Sequence, residues 1–147
     1  MRIYLDNCCY NRPYDDLSQL IVSLEAQAKL HIQNQVEKGE YELVSSEMLM
    51  FEVTQCPIEQ RRDMIREYIE LNSSVHVGPG SSEKVREMAR DIMATGVKYK
   101  DACHVASAII AECDYFISTD KRLLKYKSDV IRIVNPIEFI SEMEGEL

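Results

Sequence analysis

The sequence lacks a C-x-x-C pair, an excess of basic residues, any apolar run of membrane length and any internal repeat. Each absence removes a class of protein. The cysteines are odd in number, five, with Cys8 adjacent to Cys9. Neither a disulfide framework nor a ribbon-type zinc site fits that spacing. A soft-metal set made of Cys103 and His104 beside Cys8 and Cys9 stays open at this level, although small buried cysteines are common in cores. The apolar runs fall well short of the roughly 20 residues that a membrane helix needs. Low-complexity tracts and solenoid-length periods are missing as well. The opening "MRIYLDNCCY" places an acid at position 6, against the pattern of a secretory leader, so a cytoplasmic protein is expected.

Positive charge is the scarcest commodity: 25 acids face 17 bases, for a net charge of −8. A protein that grips nucleic acid through phosphates usually shows a basic face, so bulk attraction is excluded as a source of such binding. The bases are nonetheless uneven. Lys84, Arg86, Arg90, Lys98 and Lys100 precede Asp101, and Lys121, Arg122, Lys125 and Lys127 follow Asp120. Runs of this kind are usually solvated helix faces. The remainder is ordinary: 147 residues, 46% apolar and 29% charged, enough for one globular domain over 1–147 with a single core.

Short apolar segments alternate with helical patterns. "RIYLD" (2–6) reads as a strand that runs into a polar loop, "NCCYNRPYDD", broken by Pro13. From Leu17 the apolar positions fall at 17, 20, 21, 24, 28 and 32, a helical stripe that stops at Gly39. "YELVSS" (41–46) is a second strand, followed by helices over 46–55 and 58–71 with Pro57 between them. "SVHVG" (74–78) is a weaker strand. A helix from Ser81 or Ser82 to Gly96 carries Val85, Met88, Ala89, Ile92 and Met93 on one face. A further helix spans about 100–113, strands follow at 115–119 and 131–134, and Pro136 opens a last helix. Strands that are short, apolar and separated by helices predict an α/β sandwich: a parallel sheet covered on both faces.

In such sheets functional groups collect in the crevice outside the carboxyl ends of the strands. Asp6 ends the first strand and Asp120 follows "YFIST" directly; Glu52 and Asp101 stand on helices that follow a strand or a loop. One strand-end Asp alone is an ordinary turn former or cap, and Asp101 alone could be a carboxylate favoured by a helix N-terminus. The set together is harder to dismiss, because "LMFEVT" places Glu52 among apolar neighbours, where an unpartnered charge is costly. If the carboxylates converge, their repulsion demands a cation. Hard oxygen donors without an obligatory histidine point to Mg²⁺ or Mn²⁺, and so to metal-assisted chemistry on phosphate esters.

Four segments in order, "YLDNCCYNRP", "LVSSEMLMFEV", "KDACHVASA" and "CDYFISTDKRLL", make the chain resemble the PIN-domain family, which includes VapC-type toxin ribonucleases. The resemblance spans nearly the whole chain; each segment is weak alone and the ordered set is strong. It implies a three-layer α/β/α fold with a central, mainly parallel sheet, and Mg²⁺- or Mn²⁺-dependent hydrolysis of RNA. It maps Asp6, Glu52, Asp101 and Asp120 to the catalytic, metal-binding acids. Asn7 and Thr119 are the small polar residues beside them, positioned to hold water or a phosphate oxygen. An antitoxin partner and a homodimer are further implications. Substrate contacts are expected from Arg12, Lys100, Lys121 and Arg122, each close in sequence to one of the acids. Glu47 competes with Glu52 because it follows the strand directly, and helix phase favours Glu52. His104, one turn beyond Asp101, is expected to be a packed surface or pocket-rim residue.

Two other classes remain in view. A PIN-type fold serving as a non-catalytic binding or scaffold module would keep the architecture without the activity. A phosphotransfer domain also uses an Asp at the end of the first strand, but its phosphatase form wants a second Asp where Cys8 stands, and the receiver form does not account for "KDACHVASA".

Overall fold

The computed structural model describes residues 1–145, in which strands and helices alternate almost as the apolar pattern dictates. In chain order the elements are β1 (Arg2–Leu5), α1 (Asn7–Asn11), α2 (Leu20–Glu37), β2 (Glu42–Ser46), α3 (Glu47–Thr54) and α4 (Glu59–Asn72). They continue with β3 (Ser73–Val77), α5 (Ser82–Met93), α6 (Tyr99–Ile110), β4 (Tyr115–Ile117), β5 (Arg132–Val134) and α7 (Pro136–Glu144). The five strands form one all-parallel sheet in the order β3-β2-β1-β4-β5. Ile3, Tyr4 and Leu5 are all fully buried, so both faces of β1 are covered. This is an α/β fold, compatible with a three-layer arrangement.

The strand order fixes where a site can form. The chain moves from β1 outward to β2 and β3, then returns to the other side of β1 for β4 and β5. The reversal at β1 opens a crevice at its carboxyl end, the usual place for ligands in open parallel sheets. Register makes this concrete. Leu5 pairs with Ile117 and Tyr4 with Val44, so the next residues outward bring Asp6 level with Ser118 and Ser46 at that edge. The Asp6 N–H donates to the Ile117 carbonyl at 2.9 Å, which carries the pairing one residue past the strand.

Two expectations are corrected. The segment 7–14 is not an open loop: Asp6 caps α1, its carboxylate accepting the Asn7 N–H, and a 3-10 turn over Arg12–Tyr14 follows. The apolar stripe of α2 is out of phase in its first half. Leu17, Leu20, Ile21 and Leu24 are exposed, while the buried face is Val22, Glu25, Ala26, Ala28, Lys29, Ile32 and Val36. Glu25 can turn inward because Arg12 meets it at 2.8 Å, and Lys29 because its chain lies against the Tyr10 ring. No helix among the described residues is long and apolar enough to cross a membrane.

Candidate active site

Asp6 is the most firmly held of the acids. It is 5% exposed, and its two oxygens accept from the Asn7 N–H at 2.8 Å and from the Ser118 hydroxyl at 2.8 Å, with the Cys8 thiol at 3.4 Å. Ser118, completely buried, also accepts the Asp120 N–H at 3.1 Å and so ties both strand-end acids to one hydroxyl. Asp120 in turn folds its own turn, Oδ1 accepting the Arg122 N–H at 2.9 Å. The sequence points to Thr119, beside Asp120, as a residue to hold water or a phosphate oxygen. Thr119 instead contributes its N–H, which donates to Cys8 Sγ at 3.3 Å. Ser118 takes its role from the strand register that sets it opposite Asp6, which local sequence does not encode.

Glu52 reaches the site from the second turn of α3. That helix begins without a linker, because the Ser46 hydroxyl caps it by accepting the Leu49 N–H at 3.1 Å. Glu52 Oε1 is hydrogen-bonded to His104 Nε2. Glu47, its rival, points elsewhere and pairs with His76 at 3.0 Å. His104 is not at the rim: it is fully buried, with Nδ1 2.6 Å from the Tyr4 hydroxyl, which lies 2.6 Å from Ser46 Oγ. One arrangement of protons satisfies every member. Leu49 N–H donates to Ser46, Ser46 to Tyr4, Tyr4 to His104 Nδ1, and His104 Nε2–H to Glu52. Burial pulls the His104 pKa down, but Glu52, Asp6 and Asp101 outweigh it and the net shift is upward. For Glu52 burial acts upward and is overcome by His104, Lys100 and Asn7, so its pKa falls.

Asp101 sits in the first turn of α6. The residue at the cap position is Lys98, and no hydrogen bond joins the Asp101 side chain to the helix backbone among the described residues. Its pKa is pushed up to about 6, first by burial and then by the charges of Asp6 and Asp120, with His104 opposing and Glu52 adding. Asp101 therefore feels the charges of the other three acids. Glu52, Asp101 and Asp120 line a single cleft of about 880 Å³, together with Lys98, Tyr99, Lys100, Arg122, Lys125, Tyr126 and Lys127.

The remaining sequence-selected residues divide. Lys100 and Arg122 line the cleft, and Lys100 Nζ rests 5.6 Å from the Phe51 ring centroid. Lys121 is exposed beside the cleft residues. Asn7 bonds Asn11 through its amide oxygen and lies by Glu52. Arg12 does not line the cleft: Glu25 and Asp15 occupy its guanidinium at 2.8 and 3.0 Å. The soft-metal set does not assemble either. Cys9 donates to the Ile117 carbonyl, Cys8 turns to Asp6, and Cys103 lines a separate groove with Tyr99 and Glu47.

Among the described residues no three His, Cys, Asp or Glu side chains converge in the geometry of a formed metal centre. The donor chemistry still fits a hard cation. Asp6, Asp101 and Asp120 offer oxygen only, and the like-charge crowding on Asp101 is the imbalance that a divalent ion relieves.

No family model and no curated protein sequence matches the chain. Several solved structures share its fold, among them these two. One is VapBC2 from Rickettsia felis bound to a DNA fragment from their promoter, with 9% identity, a TM-score of 0.56, and coverage of 92% of this chain and 98% of that one. The other is FitAcB from Neisseria gonorrhoeae, with 13% identity, a TM-score of 0.52 and the same coverage. At such identities the likeness concerns the fold.

Proposed function

We propose that this chain is a PIN-like, metal-dependent ribonuclease and the toxin arm of a toxin–antitoxin pair. One observation carries the reading. Asp101 is crowded by Asp6, Asp120 and Glu52 at the switch point of a parallel sheet, in a cleft whose other charged groups are all cationic. The fold shared with VapBC2 and FitAcB, both toxin–antitoxin assemblies, supports the pairing with a partner protein. The cluster of acids at one end of the cleft and the net charge of −8 favour the toxin arm over a DNA-binding one, which would need a basic surface. An antitoxin could block this cleft by inserting an Arg or Lys among the acids.

Asp6, Asp101 and Asp120 would hold Mg²⁺ or Mn²⁺, with Glu52 as a further ligand, direct or through water. When bound, the ion supplies Lewis acidity toward the phosphodiester and its attacking water. The chain's own residues prepare the rest. Ser118 fixes the Asp6 carboxylate, and the Tyr4–His104 pair fixes Glu52. Lys100 and Arg122 offer charge to the phosphates on either side of the scissile bond, with Lys121 beside them.

The test is cleavage of labelled RNA by the purified chain with Mg²⁺ or Mn²⁺ against EDTA, for the wild type, Asp6→Asn and Asp101→Asn. We expect cleavage only by the wild type with metal. Cleavage that ignores EDTA, or survives Asp101→Asn at full rate, would sink the proposal. Absence of cleavage under every condition favours the non-catalytic scaffold.

A further inference from the structure

The same three letters, Lys-Tyr-Lys, occur at 98–100 and at 125–127, and the fold brings both copies to one cleft. Its first wall is the connection between α5 and α6, Thr95–Lys100, where Gly96 with φ +105° permits the sharp reversal that presents Lys98, Tyr99 and Lys100. Its second wall is the turn after Asp120. Leu123, 2% exposed, pins that turn to the core, and the Tyr126 N–H closes it onto the Leu123 carbonyl at 3.0 Å. Both tyrosines are held as well as displayed. Tyr99 is 46% exposed in the first turn of α6, and Tyr126 packs partly against the core between two exposed lysines.

What sets the charges of this cleft apart is their number in one space: five cationic side chains line it. Arg2, Arg12, Arg66 and Arg132 are ion-paired, whereas Lys98, Lys100, Arg122, Lys125 and Lys127 make no ion pair among the described residues. The cleft thus combines unpaired cations, aromatic faces between them and an acid-lined end. At about 880 Å³ it has room beyond a single phosphate, near the top of the ~300–1,000 Å³ range of ligand sites.

We propose that the two Lys-Tyr-Lys segments clamp an unpaired nucleotide strand, each tyrosine stacking a base while its flanking lysines contact successive phosphates, and lead that strand to the acids. The spacing of aromatic between cations matches the alternation of base and phosphate, and stacking needs a base face that a duplex hides. The inference deepens the nuclease reading and rests on it for its purpose, but binding tests it without cleavage.

The experiment is fluorescence anisotropy in EDTA with a labelled single-stranded RNA of about ten nucleotides, within the footprint of single-strand grooves. The same strand annealed to its complement serves as the duplex probe. Tyr126→Ala and Tyr99→Ala should each weaken single-strand binding by roughly 5- to 100-fold, the loss of one stacked base, while the corresponding Phe variants stay near wild type. Lys125→Ala with Lys127→Ala should flatten the slope of log affinity against log salt by about 0.7 per lost phosphate contact. The duplex should bind at least about tenfold more weakly. Thermal midpoints report folding. Exposed Tyr99 keeps the test sharp if the half-buried Tyr126 variant unfolds.

Folded alanine variants that bind like wild type would overturn the clamp, as would equal affinity for the duplex. Displacement of the RNA by polyglutamate at matched charge would make the cleft an acidic-peptide site and overturn it too. Cleavage that continues unchanged in both tyrosine variants removes the clamp and leaves the nuclease. Tyrosine-dependent binding without any metal-dependent cleavage removes the nuclease and leaves the clamp.

Discussion

His104 and Glu52 are joined through Nε2 and Oε1 across the boundary of the core, the imidazole fully buried and the carboxylate side chain 24% exposed. The histidine is thus the innermost visible part of the site, and Tyr4 and Ser46 are its supports. Tyr4→Phe is the cleanest probe, since the ring keeps its stack on Phe116 at 5.2 Å and loses only the hydroxyl. Two buried partners, Ser46 Oγ and His104 Nδ1, are then left short of a hydrogen bond, at a cost of about 1–3 kcal/mol in urea unfolding. If Glu52 serves a metal ion, Mn²⁺ affinity measured by titration should also fall by roughly tenfold, as it does when outer hydrogen bonds to ligands are lost. Lower stability with unchanged Mn²⁺ affinity would confine the chain of hydrogen bonds to a structural role.

Asp101→Asn should stabilise the metal-free protein. The carboxyl titrates at about 6 in the fold, above the ~3.9 of an unfolded Asp, because burial and the charges of Asp6 and Asp120 disfavour its ionised form. Between those values the folded state binds more protons, so stability falls as pH rises from about 4 to about 6. The group is partly exposed to solvent, so we discount the effect to about 1 kcal/mol. Urea midpoints at pH 5 and pH 7.5, taken in EDTA, should show the variant's advantage growing with pH. A variant that is weaker at both would instead mark Asp101 as a helix-end anchor.

Asp6 and Asp120 were legible because their place follows from strand ends alone, and parallel sheets gather such residues. Glu52 was legible from the cost of a charge among Met50, Phe51 and Val53. Ser118 and His104 were not, since their roles depend on partners 112 and 52 residues away that local pattern does not encode. The first half of α2 misled for a physical reason. Its leucines outweigh the alanines in any apolar count, yet the packed side is the one where Arg12 neutralises Glu25. The lysines of the cleft read as solvated faces because only the fold reveals that 98–100 and 125–127 share one space.

Lys29 gives a second electrostatic test, far from the acids. Burial depresses its pKa to about 8, with Cys9 opposing, and its ammonium lies 5.4 Å from the Tyr10 ring centroid. The unfolded chain holds this proton up to about pH 10.4, so it binds more protons than the fold between about 8 and 10.4, and stability rises with pH there. Below about pH 8 the buried charge carries its full penalty. Lys29→Met should therefore be more stable at pH 7 by about 1–2 kcal/mol, after allowing for about 1 kcal/mol of lost cation–π attraction. The gap between the two proteins should close by pH 10. A gap independent of pH would mean that packing, not charge, sets the difference.

Arg12 separates a structural cation from a substrate contact. Its guanidinium meets Glu25 at 2.8 Å and Asp15 at 3.0 Å, and the Glu25 side chain is only 8% exposed. Removing the arginine leaves a nearly buried carboxylate alone, for which fully buried pairs show losses of about 3–5 kcal/mol. Arg12 itself is 22% exposed, so we expect about 2–3 kcal/mol for Arg12→Ala. Lys should rescue poorly, because an ammonium cannot reproduce the planar fork that spans both acids. Adding Glu25→Gln to Arg12→Ala should recover much of the loss, since the stranded charge is gone, and the double-mutant cycle measures that coupling directly. The salt slope of RNA binding should be the same in Arg12→Ala as in wild type once both are folded. A flattened slope with an unchanged thermal midpoint would instead return Arg12 to the phosphate-contacting set.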